Sequence, residues 1–158
     1  MTLRDTLQPR RATNDDVPAI QALVTSAYDR YVPLIGRPPG PMLDDYGARV
    51  RDDLVFVAEL DGALAAVLVL IEKPGIAKPG HLLLDNIAVA PLLHGLGYGS
   101  QLVRFAEAEG RRRGFTEIRL YTHELMRENI GLYERLGFTV THRAQEAGYA
   151  RVYMAKAL

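Results

Sequence analysis

The sequence predicts a single α/β (α+β) domain over residues 1–158, built on one mixed β-sheet, and three observations carry that prediction. Apolar runs of strand length fall at residues 54–59, 63–72 and 82–89. Val17, Ile20, Leu23, Val24, Ala27 and Tyr28 recur at helical spacing. The Asp61-Gly62 hairpin signal precedes a β-α-β-α-β-β order, so antiparallel and parallel neighbours share a sheet. With 158 residues, 48% of them hydrophobic and 24% charged, the chain can bury a core of its own.

Each element has a local reason. Residues 7–12 read as a short strand. Thr13-Asn14-Asp15-Asp16 supplies capping oxygens and Pro18 falls in a first helical turn, so a helix follows to about residue 30. Pro33, Gly36, Pro38, Pro39, Gly40 and Pro41 exclude regular structure, and a second helix is expected at about residues 42–51. The 54–59 and 63–72 strands flank Asp61-Gly62, residues 73–80 form a loop, and 82–89 is a buried strand. The helix after it ends in Arg111-Arg112-Arg113-Gly114, where basic residues suit the negative end of the dipole and glycine the left-handed cap. A strand at 118–121, a helix at 125–136 closed by Gly137, and strands at 138–142 and 151–154 complete the order.

Composition narrows the function. Lys plus Arg and Asp plus Glu both count 19, so the net charge is zero and exerts no long-range pull on nucleic acid or anionic lipid. The absence of cysteine removes disulfides, thiolate metal sites and cysteine nucleophiles. His81, His94, His123 and His142 show no metal-ligand spacing, so no metal is expected. The N-terminus lacks a signal pattern and the longest apolar run, 64–71, has strand length. A cytoplasmic protein with neither nucleic-acid nor membrane partners is the expectation.

The most informative stretch joins the 82–89 strand, through Pro91, to His94-Gly95-Leu96-Gly97-Tyr98-Gly99-Ser100 and a helix. Alternate glycines bare the backbone N–H groups at the positive end of a helix dipole, which suits a phosphate or pyrophosphate. A Rossmann turn would carry glycine or alanine at Ser100 and an acid ending the next strand, where Tyr121-Thr122-His123-Glu124 stands. No Gly-Lys-Ser/Thr follows for a P-loop, and neither Ser26 nor Ser100 sits in a hydrolase elbow.

A second segment decides the comparison: Asn129-Ile130-Gly131-Leu132-Tyr133-Glu134-Arg135-Leu136-Gly137-Phe138. With the glycine loop, it resembles the GNAT superfamily of acyl-CoA-dependent N-acyltransferases. The family's loop reads Gln/Arg-x-x-Gly-x-Gly/Ala after a small-apolar pair; Gly97, Gly99 and Ala88-Val89 fit, and His94 replaces Gln or Arg. The family's Asn-x-x-Leu/Phe-Tyr-x-x-x-Gly-Phe is matched in full at Asn129, Leu132, Tyr133, Gly137 and Phe138. The resemblance covers nearly the whole chain and implies a GNAT fold, with a single mixed sheet of about seven strands and about four helices.

It also implies roles. Acetyl-CoA would be the co-substrate, its pantetheine arm held along Ile87, Ala88 and Val89 and by Asn129. Its pyrophosphate would lie on the backbone of Gly95, Leu96, Gly97, Tyr98, Gly99 and Ser100, with His94 adding a donor. Tyr133 would be the general acid for the departing thiolate, a proton transfer within a phenol's reach. With no cysteine, a primary amine of a small molecule or peptide would attack directly in a ternary complex.

The general base stays open among Asp85, which shares a strand face with Leu83 and Ile87, Glu124, His123 and a water chain. The acceptor wall would come from residues 27–42 and 145–149. Tyr28, Tyr31, Asp85 and Glu124 are its candidate contacts, and Asp44-Asp45 its acidic lining; the same tyrosines and aspartates read equally as core edge and helix cap. Relatives often dimerise through the last strands, so a homodimer is a further expectation. Two other readings compete: a catalytically silent acyl-CoA-binding or regulatory module, and a domain using the glycines for another nucleotide.

Overall fold

A computed structural model describes residues 6–76 and 80–158, and shows a seven-stranded mixed sheet in the order β1-β2-β3-β4-β5-β7-β6. The strands are β1 (Arg10–Arg11), β2 (Leu54–Leu60), β3 (Ala63–Lys73), β4 (His81–Val89), β5 (Glu117–His123), β6 (Thr139–Glu146) and β7 (Tyr149–Ala157). The α-helices are α1 (Val17–Tyr28), the single turn α2 (Val32–Ile35), α3 (Tyr46–Asp52), α4 (Tyr98–Arg112) and α5 (Arg127–Arg135). The chain forms two compact units: residues up to Leu70 with Asn86–Val103, and Ile71–Asp85 with Arg104–Leu158.

In the first unit β2 and β3 form the expected hairpin. Asp61 and Gly62 both take positive φ, 52° and 79°, the turn whose twist matches that of paired strands. Val55, Val57, Ala66, Val67, Leu68, Val69 and Leu70 are buried along it, and Ile20, Leu23, Val24 and Ala27 form the buried stripe of α1. β1 is shorter than the 7–12 expected. Leu7 donates its N–H to the Gln101 side chain at 2.8 Å and Pro9 has none to give, so pairing begins at Arg10 opposite Val57.

The proline-rich stretch is more ordered than its composition implies. The α-helical pattern ends at Tyr28, and a 3-10 turn over Asp29–Tyr31 leads into α2. Pro33 stands in the first turn of α2, where its missing N–H has no partner to lose, and Gly36 closes the turn at φ 89°. Gly40–Leu43 forms another 3-10 turn, so α3 starts at Tyr46 rather than near residue 42. Asp45 sets that start by accepting the Ala48 N–H at 3.1 Å.

The second unit is organised by β5, which pairs in parallel with β4 (Leu82 opposite Ile118, Leu83 opposite Arg119) and antiparallel with β7 along its whole length. Leu82, Ile118, Leu120, Val152 and Met154 build its core. A Cβ at Gly110 of α4 would stand 3.3 Å from Leu82 and 2.7 Å from Leu158, so this helix packs closely there. The arginine run ends that helix: Glu109 pairs with both Arg112 and Arg113, and Gly114 takes φ 85°.

β6 and β7 both outrun the expected 138–142 and 151–154. Residues 145–149 are not a loop; the strands meet at a two-residue turn, Ala147 (φ 51°) and Gly148 (φ 83°). Alanine is an unusual residue for a left-handed turn position, which is why the sequence pattern misses this hairpin.

Candidate functional site

The glycine junction lies wholly in the first unit. β4 ends at Val89, the 3-10 turn Pro91–Leu93 comes next, and Gly95 and Gly97 follow at φ 79° and 89°, where a Cβ is strongly disfavoured. Gln101 donates to the Gly97 carbonyl at 3.2 Å as the first helical bond of α4. The N–H groups of Tyr98, Gly99 and Ser100 therefore have no partner within the helix. A Cβ at Gly95 would meet nothing within 4 Å, so its surface faces open space. A dense cluster of N–H donors at a positive helix end, with room in front of it, fits a diphosphate.

Two side chains brace the strand leading into this loop. The Tyr28 hydroxyl donates to Asn86 Oδ1 at 2.6 Å and lies 2.9 Å from the Ile87 carbonyl. Asn86 in turn donates through Nδ2 to the Tyr46 hydroxyl at 3.0 Å, and Tyr46 donates to the Pro41 carbonyl at 2.5 Å. All three side chains are buried, so the network ties α1, α3 and the proline segment to β4. Sequence reasoning missed Asn86. Its one signal is an amide at an apolar-face position, in register with Leu82, Leu84 and Ala88.

His94 places its Nε2 2.6 Å from the Val89 carbonyl. A carbonyl only accepts, so Nε2 carries a hydrogen. Among the expected acceptor contacts, Tyr31 is buried with its hydroxyl accepting from Arg30 at 2.8 Å beneath the Arg30 guanidinium. Asp45 caps α3 and Asp44 pairs with Arg49 at 2.9 Å. Asp45 thus takes the helix-cap role that one of its two readings gave it, whereas Asp44 takes an ion pair that neither reading named.

The second unit carries Tyr133, Asn129, Asp85, His123 and Glu124. Tyr133 is buried on α5, its ring edge-on to Phe138 with centroids 5.7 Å apart. Phe138 also donates its N–H to the Tyr133 carbonyl at 3.0 Å, so the motif's Gly-Phe folds back onto its tyrosine. Asn129 lies one helical turn earlier, with Nδ2 3.7 Å from the Met126 sulfur. Asp85 is half-buried on the alternate face of β4 from Leu82 and Leu84, as the pattern of the strand predicts.

His123 ends β5 with its Nδ1 accepting the Leu125 N–H at 3.1 Å and its ring edge-on to Tyr149. Burial holds its pKa below the usual 6.5, with Glu124 opposing that shift. Its basic nitrogen is thus already engaged by the backbone. Glu124 is exposed and lines a cavity of about 350 Å³ with Leu125, Arg127, Ile130 and Arg143. No group of His and acidic side chains among the described residues could hold a metal ion. No described helix is long and apolar enough to cross a membrane.

The probable N-acetyltransferase camello of Xenopus tropicalis is 34% identical over 83 residues, covering 52% of this chain and 37% of that protein. The match thus spans well under half the length of this curated relative. The PaiA N-acetyltransferase of Thermoplasma acidophilum, solved in complex with coenzyme A, superposes with TM-score 0.77 at 18% identity, covering 98% of this chain and 100% of that one. Arabidopsis thaliana Naa50, in complex with the bisubstrate analogue CoA-Ac-MVNAL, gives TM-score 0.75 at 13% identity over 98% and 100% of the two chains. At such identities the likeness is one of fold. The model of the acetyltransferase (GNAT) family matches residues 20–138, from within α1 through β4, the glycine loop and α5 to Phe138, and the chain belongs to that family.

Proposed function

We propose that this protein is an N-acetyltransferase that moves the acetyl group of acetyl-CoA to a primary amine of a small molecule or peptide, by direct attack in a ternary complex. The observation that carries this reading is the loop of Gly95 and Gly97, both left-handed, opening onto the first turn of α4. A coenzyme A complex and a bisubstrate complex carrying a peptide, both among the structures of like fold, support the choice of co-substrate and acceptor class.

Acetyl-CoA supplies the thioester carbonyl that the amine attacks. The loop's N–H groups, from Gly95 to Ser100, neutralise the diphosphate, and Ile87, Ala88, Val89 and Asn129 align the pantetheine arm. The amine nitrogen bonds to the carbonyl carbon, the C–S bond breaks, and Tyr133 Oη gives its proton to the leaving sulfur. The amine's own proton leaves to Asp85, Glu124 or water. His123 is the poorer candidate, because the nitrogen that would accept already receives the Leu125 N–H. Tyr28 and Tyr31 shape the acceptor wall from within the packed segment they occupy.

Thermal unfolding with acetyl-CoA, CoA, NAD and ATP tests the co-substrate, because a ligand of the native state raises the midpoint. The expected result is a rise with the two CoA ligands alone, followed by amine-dependent thiol release in a screen of primary amines. Binding without turnover would favour the silent-module reading, and a shift only with NAD or ATP would refute both.

A further inference from the structure

Resting on that reading of the glycine loop, we infer that His94 is a positioning residue, which anchors the loop to the end of β4, and not a ligand of the phosphates. The ring hydrogen-bonds to Val89 O at 2.6 Å through Nε2, while its own backbone N–H donates to the Pro91 carbonyl at 3.2 Å. Together the two bonds close the six-residue turn from Val89 to His94. Leu93 adds a third, from its N–H to the Ala90 carbonyl at 2.8 Å.

This anchor stands where the chain has most freedom to lose. Immediately after His94 come Gly95 and Gly97, residues whose unfolded and unliganded freedom is the largest of any type. Gly95 and Leu96 are exposed, and a Cβ on Gly95 would touch nothing within 4 Å. The next backbone bond along the described chain is the helical one from Gln101 N–H to the Gly97 carbonyl. Fixing His94 therefore fixes the origin from which the donors of 95–100 fan out, and lowers the ordering cost of binding. The hydrogen on Nε2 is committed to Val89, so the ring's remaining nitrogen, Nδ1, is an acceptor in the neutral form and has nothing to donate to a phosphate.

Amide side chains separate the two roles. The Nε2 of glutamine stands three bonds from Cβ, as imidazole Nε2 does, whereas the Nδ2 of asparagine stands two bonds away, as imidazole Nδ1 does. Dissociation constants for CoA are measured by calorimetry on the full chain and on His94→Ala, His94→Gln and His94→Asn. Amide hydrogen exchange over residues 95–100 is followed in the same proteins without ligand. Positioning predicts about tenfold weaker binding and faster loop exchange in His94→Ala and His94→Asn, a loss the size of one hydrogen bond, and recovery of both in His94→Gln. Recovery by asparagine instead of glutamine, or unchanged exchange in His94→Ala, would overturn the inference. Failure of the unaltered protein to bind CoA would refute the proposed function, and the exchange data would still decide whether His94 holds the loop.

Discussion

The Lys156 ammonium donates to the Leu136 carbonyl at 2.7 Å, so the last strand caps the C-terminal end of α5. The same ammonium pairs with Glu107 of α4, a carboxylate only 5% exposed. One cation thus neutralises a buried acid and the negative end of the helix that carries Tyr133. Lys156→Met should lower stability by about 3–5 kcal/mol in urea unfolding, because it strands the Glu107 charge. Adding Glu107→Leu should recover most of that loss; if the double variant is no better than the single, the buried charge is not the cause.

Tyr133→Phe keeps the ring that packs on Phe138 and removes only the hydroxyl. If that hydroxyl protonates the leaving thiolate, kcat falls by roughly 10²-fold or more while CoA affinity stays near its original value. Steady-state thiol release and CoA titration on the same preparation check the split. Full activity in the variant would remove Tyr133 from the chemistry.

Asn86 joins two buried tyrosines through an acceptor and a donor. Asn86→Leu fills the volume but breaks both bonds, and should cost about 1–3 kcal/mol. Asn86→Asp keeps an acceptor for Tyr28 but should cost more, since it puts a carboxylate in a site 3% exposed. Chemical denaturation of the two variants gives the order directly.

Acid stability has an identifiable contributor at the surface. Arg10 donates to both oxygens of Asp16, at 2.8 and 2.9 Å, and holds its carboxyl down to about 2. A depressed carboxyl stabilises the fold above its unfolded value near 3.8, and that contribution is lost as pH falls through the folded value. Between about pH 4 and 2 the midpoint of Asp16→Asn should fall less steeply than that of the unaltered protein. Circular dichroism melts across that window test it; equal slopes would mean the pair contributes nothing.

What the sequence reveals here follows the range over which each feature is determined. The β2–β3 hairpin, β4, the glycine loop, α4 and α5 are set by neighbours a few residues apart, and all stand where the pattern puts them. Gly95, Gly97 and the α5 motif are legible for the same reason. β1 is legible as a short strand, but its start is not fully so, because Leu7 is drawn to Gln101, 94 residues away. The roles of Asn86 and Lys156 depend on partners from distant segments; the amide of Asn86 on an apolar face marks its position but not its partners. The tyrosine of the first helix is a middle case. Periodicity places Tyr28 on the buried stripe, but only the fold shows that its hydroxyl is used on Asn86 and Ile87.

The two-residue turn at Ala147-Gly148 has a consequence for how the chain reaches this structure. β6 and β7 pair from Glu146 opposite Tyr149 outward to Thr139 opposite Ala155, with one register shift between His142 and Val140, so the ladder grows outward from its own turn. Closing so short a loop loses little chain entropy, and the hairpin can zip from its tip without waiting for the rest of the sheet. The parallel pairing of β4 with β5 has no such start: Leu83 must find Arg119 across the whole of α4. In refolding, the C-terminal hairpin should therefore protect its amides early and the β4–β5 ladder late, with the slow closure of that crossover governing the overall rate.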